Sequence, residues 1–143
     1  MKFAIASDHA GFKMKEAVKA YLISQKYGVV DFGTDSEESV DYPDFGKLAA
    51  KDVSGKKADY GLLVCGSGIG MCMAANRFKG VRAAVINNEF DAEMSRRHNN
   101  ANIACFGSRK LSNEQAIKLL DLWIKTPFEG GRHEKRIEKM DKL

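Results

Sequence analysis

The chain of 143 residues has little of what marks a small secreted, metal-folded or membrane-bound protein. Its three cysteines, Cys65, Cys72 and Cys105, are an odd number without C-x-x-C spacing, which argues against a disulfide framework and a zinc knuckle. No apolar run approaches the length of a membrane span, and the stretch MKFAIAS ahead of Asp8 is too short for a signal peptide. A soluble, cytoplasmic protein with no membrane partner is expected. Neither sign of charge dominates: the formal net charge is +4, basic and acidic residues are mixed through most of the chain, and no basic stripe interleaved with aromatics appears. Nucleic acid is therefore not the expected partner. There is no repeat, low-complexity tract or linker, so residues 1–143 read as one domain, large enough to bury roughly two thirds of its unfolded surface.

What is present alternates regularly. Short, nearly continuous apolar runs occupy 2–7, 28–33, 60–66, 82–87 and 102–108, and longer segments of helical periodicity separate them. Continuous apolarity marks strands buried on both faces, as in a parallel sheet between two helix layers. Helices are predicted from Gly11 or Phe12 to about Gln25, and from about Asp44 to Val53 with Pro43 at the entrance. Others follow from the glycine loop through MCMAANRF, over EFDAEMSRRH, and over NEQAIKLLDLWIK after the N-cap candidate Ser112. Pro127 and Gly130-Gly131 then break the chain before a final short helix, RHEKRIEKMDKL. The expected fold is a Rossmann-like three-layer α/β/α domain with a five-stranded parallel sheet and a C-terminal helical tail. Its ligand should sit at the carboxyl ends of the strands.

Polar segments follow those strands: SDHAG, CGSGIG and GSRK. The histidine segment SRRHNNAN follows a helix instead and would reach that edge only through its loop. GSGIGM is not the dinucleotide fingerprint G-x-G-x-x-G, and no Gly-Lys-Ser or Gly-Lys-Thr follows to make a P-loop. Glycines there still let backbone N–H groups converge on an anion. Cys65, last in its strand and beside those donors, has surroundings in which a thiol reacts as a nucleophile or a base, whereas Cys72 and Cys105 read as small apolar core groups. His9 and His98 stand in polar clusters, with Asp8 beside His9 able to orient an acid or base. His133 reads as a surface histidine without a role. Arg132 and Arg136, four residues apart, share one helix face and suit a phosphate dianion, and Arg109 adds a cation past the fifth strand.

Together SDHAGFKMKE, VDYPDF, CGSGIGMCMAANR, VRAA, SRRHNNANI, FGSR and EGGRHEKRI resemble, in order and spacing, one sugar-phosphate isomerase family. It holds ribose-5-phosphate isomerase type B, allose-6-phosphate isomerase and the galactose-6-phosphate isomerase subunits. The resemblance covers nearly the whole chain. It implies a metal-free, cofactor-free aldose–ketose interconversion of D-ribose 5-phosphate and D-ribulose 5-phosphate. It also implies a homodimer or a dimer of dimers with active sites at the subunit interface.

By the same resemblance, Cys65 is the base that moves a proton between C2 and C1, and the amides of Gly66, Ser67, Gly68, Ile69 and Gly70 hold the enediolate. Ser67 stands where threonine is common in the family. His98 is the acid that opens the furanose ring, with Asp8 helping at a sugar hydroxyl. Asn99 holds substrate, Tyr42 lines the pocket, and His9, Arg109, Arg132 and Arg136 bind phosphate. Met71 stands where another branch of the family places a glutamate base, so the chain resembles the cysteine branch. Retention of His98, Arg132 and Arg136 favours a self-sufficient homo-oligomer. The alternatives are a hexose 6-phosphate isomerase, such as one acting on allose 6-phosphate, and a non-catalytic sugar-phosphate sensor. A nucleotide-binding module is more distant. The tail beyond Gly131 is expected to find little core on its own chain and to reach towards a partner's site.

Overall fold

A computed structural model describes all residues 1–143. Five strands, β1 (Lys2–Ser7), β2 (Gly28–Asp31), β3 (Tyr60–Cys65), β4 (Ala83–Val85) and β5 (Ile103–Gly107), form one parallel sheet in the order β2-β1-β3-β5-β4. Six helices complete it: α1 (Phe12–Ser24), α2 (Tyr42–Ser54), α3 (Ile69–Ala75), α4 (Glu89–Arg97), α5 (Asn113–Lys125) and α6 (Arg132–Asp141). The expected three layers are therefore present. The second strand ends at Asp31 and the fourth covers only Ala83–Val85, both shorter than their apolar runs, while α2 begins earlier, at Tyr42.

Alternation along the central strands divides the core between the two faces. Phe3 and Ile5 of β1 pack with Met14, Val18 and Leu22 of α1 and with Leu120 and Trp123 of α5. Ala4 and Ala6 face the other way, towards Ala49, Ala50 and Val53 of α2 and Met71 of α3. Helix α5 starts where Ser112 predicts, with a complete capping box. The Gln115 N–H donates to Ser112 Oγ (3.1 Å) and the Ser112 N–H to Gln115 Oε1 (2.8 Å).

The tail adds little to this core, as expected. Helix α6 buries His133 and Ile137, and Asp141 near its end pairs with Arg82 at 3.0 Å. Its sequence looks solvated because only two positions in ten face inward.

The chain order reverses between β1 and β3, opening a crevice at their carboxyl ends. One buried ion pair shapes this rim. Lys15, 1% exposed, donates to both oxygens of Asp31 at 2.8 and 2.7 Å, and the Gly33 N–H donates to Asp31 Oδ1 at 2.9 Å. Gly33 and Thr34 in turn bond the backbone of Ser7, the residue before Asp8. Burial pushes the Asp31 carboxyl up, but Lys15, Lys19 and the Gly33 N–H outweigh it and hold it below the ordinary carboxylate range. A depressed carboxyl contributes stability that is present above its unfolded value and lost as pH falls through the folded one. Two outcomes are expected in denaturant titrations. Lys15→Met should cost about 3 kcal/mol at neutral pH by leaving Asp31 partly desolvated with only Lys19. Asp31→Asn should flatten the loss of stability below about pH 4.

Candidate active site

The carboxyl ends of β1, β3 and β5 carry the first group of site residues. Cys65 ends β3 opposite Gly107 of β5 and is buried. Its Sγ accepts the Gly68 N–H at 3.1 Å. The loop can fold back onto the sulfur because Gly68 has φ +77°, and a Cβ there would lie 3.0 Å from the Phe106 carbonyl carbon. Ser67 Oγ accepts the Ile69 N–H at 3.2 Å. Intrahelical bonding in α3 begins only with Cys72 N–H to Gly68 O, so the amides of Gly70 and Met71 lack a partner one turn back, and those of Gly66 and Ser67 meet no acceptor in the chain. A buried thiol thus lies beside several unsatisfied donors.

The surrounding residues close the pocket. Asp8 is buried; its N–H donates to Val64 O across the crevice (3.2 Å), and its Oδ1 accepts the Gly11 N–H (3.0 Å). His9 accepts the Val40 N–H at Nδ1 (3.1 Å), which places any proton of the neutral ring on Nε2. Tyr42 stands over Gly70, where an added Cβ would come within 2.7 Å of its ring. Arg109 donates its N–H to Gly66 O (3.0 Å) and lays its exposed guanidinium over Gly66. Cys105 is fully buried, as expected of a core group, and burial pushes its thiol up. Cys72 is only half-buried and donates to Ala83 O at 3.3 Å.

The second group lies elsewhere. His98 caps the carboxyl end of α4, and the Arg82 side chain, just before β4, holds the carbonyl of Asn99 at 3.0 Å. Both residues precede β5 and so stand at the amino edge of the sheet. Four steps of β5, about 13 Å at roughly 3.3 Å per residue, separate Ile103 from Gly107, the residue paired with Cys65. The loop after α4 does not carry His98 round to the carboxyl edge. Arg132 and Arg136 are exposed on α6 at the same amino edge as His98, so the expected phosphate group is divided within one chain. His9 and Arg109 are on one edge, and the two tail arginines are on the other.

His133 is a correction. It is buried rather than superficial, and its ring stacks on that of His98 with centroids 4.2 Å apart and planes 15° from parallel. Glu129 Oε2 lies 3.5 Å from His133 Nε2 and 4.0 Å from His98 Nε2. Neither Glu129 nor the stack was visible in sequence; the one available signal was a histidine at the start of an amphipathic tail helix. The three residues form the chain's group of potential metal ligands, with ligand atoms within 4.8 Å of one another. Nearly parallel rings, however, aim their nitrogen lone pairs side by side rather than at one point, which suits a hydrogen-bonded cluster better than a tetrahedral ion.

Comparison with known proteins shows the family of the chain. The family model described as Ribose/Galactose Isomerase matches residues 3–140. Ribose-5-phosphate isomerase B of Escherichia coli strain K12 is 42% identical over 137 residues, 96% of this chain and 92% of its own length. A crystal structure of a ribose 5-phosphate isomerase from Thermotoga maritima is 49% identical and superposes with a TM-score of 0.96, covering 99% of this chain and 98% of that one. Ribose-5-phosphate isomerase B from Mycoplasma genitalium, solved with bound ribulose-5-phosphate, is 42% identical with a TM-score of 0.95, covering 99% and 94%.

Gly68→Ala should cost about 1–2 kcal/mol in chemical denaturation, since it forces an L side chain into left-handed backbone against Phe106. The same substitution at exposed Gly80, whose Cβ would meet nothing, bears the strain without the contact and should cost less.

Proposed function

Because the chain belongs to the ribose/galactose isomerase family, we propose that it interconverts D-ribose 5-phosphate and D-ribulose 5-phosphate by proton transfer through an enediolate. The observation that carries this reading is the Cys65 thiol set inside a loop of unsatisfied backbone amides. A C–H beside a carbonyl is too weak an acid to ionise unless the oxyanion formed on its loss is stabilised as it develops. Base and donors must therefore adjoin. The relative solved with ribulose-5-phosphate supports the choice of sugar.

The reaction has two stages. His98 gives a proton to the ring oxygen as its bond to C1 breaks, while Asp8 takes the proton of the anomeric hydroxyl with the carboxylate oxygen that Gly11 leaves free. The open-chain aldehyde then loses its C2 proton to the Cys65 thiolate. The amides of the loop hold the enediolate, with the Ser67 hydroxyl beside them, and Cys65 returns the proton to C1 as the hydroxyl proton passes from O2 to O1. A reactive thiol of this kind suits a reducing cytoplasm.

One chain holds the base and the acid at opposite edges of its sheet. The complete site is accordingly placed between two copies, the base, cradle, His9 and Arg109 coming from one and His98, Asn99, Arg132 and Arg136 from the other. A two-fold axis makes two such sites at once, in a homodimer or a dimer of dimers.

Cys65→Ala should lower kcat for ribose 5-phosphate by about 1,000-fold or more, and His98→Asn by about 100-fold or more, in an assay of ketose formation run with allose 6-phosphate in parallel. Mixing these two inactive variants under subunit exchange should restore about a quarter of wild-type activity. Half the dimers are then mixed, and each mixed dimer has one intact site of two. Failure to recover activity despite proven exchange would place acid and base in one chain and refute the shared site. Full activity in Cys65→Ala would refute the cysteine base.

A further inference from the structure

His98 has no side-chain hydrogen bond to fix its ring, although it ends a helix at a half-exposed position. What constrains it is the tail. His133 presses a nearly parallel ring on it at 4.2 Å, and the Glu129 N–H donates to the carbonyl of Arg97, the residue just before His98, at 3.1 Å. The two rings differ in access: the His98 side chain is 39% exposed and that of His133 is 7%. Only His98 can meet a substrate.

We infer that His133 and Glu129 are positioning residues for His98, the stacked ring fixing the plane of its imidazole and the Glu129 backbone tying the tail to the turn that carries it. This rests on the ring-opening role proposed above. The charged groups about the pair are Glu129 from the segment before α6, Arg132 and Arg136 on α6, and Arg97 on α4, which lies against Glu93. Burial, with His98 and Arg132 adding like charge, holds His133 below the ordinary imidazole range. Glu129, nearer to His133 than to His98, works against that shift.

The test compares His133→Ala, His133→Phe, Glu129→Gln and His98→Asn in the assembled enzyme. It follows kcat and KM for ribose 5-phosphate against pH, and His98 itself by NMR titration of labelled imidazole. His133→Ala should lower kcat about 10- to 100-fold with KM within about threefold, because Arg132 and Arg136 remain. His133→Phe, which keeps a flat ring and the packing of α6, should recover most of that loss. Glu129→Gln, which keeps the backbone bond to Arg97, should leave kcat within about threefold. If His133→Ala leaves kcat and the His98 titration unchanged while His98→Asn disables the enzyme, the positioning role is wrong and the isomerase reading stands. If His98→Asn turns over ribose 5-phosphate normally, the ring-opening role fails and this inference fails with it.

Discussion

A parallel sheet joined by helices sends every strand one way and every helix back the other, so strand ends and helix ends face opposite edges. All else in the site follows from that constraint. Cys65, Asp8 and Arg109 end or follow strands, whereas His98 ends a helix and the tail helix docks beside it. No side chain is long enough to close the roughly 13 Å that β5 alone puts between the edges. The proposed catalytic set, drawn from both edges, would be complete only where two molecules meet. Symmetry makes this economical, because one contact between unlike edges, repeated by a two-fold axis, produces two sites.

Within the carboxyl edge, register decides the chemistry. With β5 rather than β4 next to β3, Gly107 lies level with Cys65, and the turn after β5 bonds back to Cys65 and Gly66 through the N–H groups of Ser108 and Arg109 at 2.9 and 3.0 Å. The cradle is therefore pinned by a neighbouring strand rather than by its own short helix. On the other side of the crevice, the Lys15–Asp31 pair organises Gly33 and Thr34 around Ser7, which fixes where β1 ends and Asp8 begins. Buried charge is costly unless paired. Here it is paired by two lysines and a backbone N–H.

The parts legible in the sequence were those written in local patterns. Apolar runs located all five strands, Ser112 announced the N-cap of α5, and glycines after a strand-end cysteine announced the cradle. Strand ends were misjudged at Phe32 and Gly33, which still bond to the β1 backbone but beyond the regular ladder. A site shared between subunits was expected, but the edge each residue takes was not legible, because linear order says that His98 follows a helix but not how far its loop travels. His133 was missed for another reason: a helix with two inward positions in ten has the composition of a solvated face.

The buried histidine also links assembly of the fold to the chemistry proposed for it. Helix α6 is held by Ile137, by the Arg82–Asp141 pair and by the imidazole stack, a thin set of contacts for ten residues. It carries both tail arginines, and its first turn supports the ring of His98. Arg82 ties the two ends of this arrangement, since the same guanidinium group that pairs with Asp141 also holds the carbonyls of Asn99 and Asn100. Docking of the tail, orientation of the acid and presentation of the phosphate grip are thus one structural event. A chain whose tail is undocked would keep its sheet, its thiol and its cradle, yet offer its partner neither an oriented acid nor an oriented pair of cations.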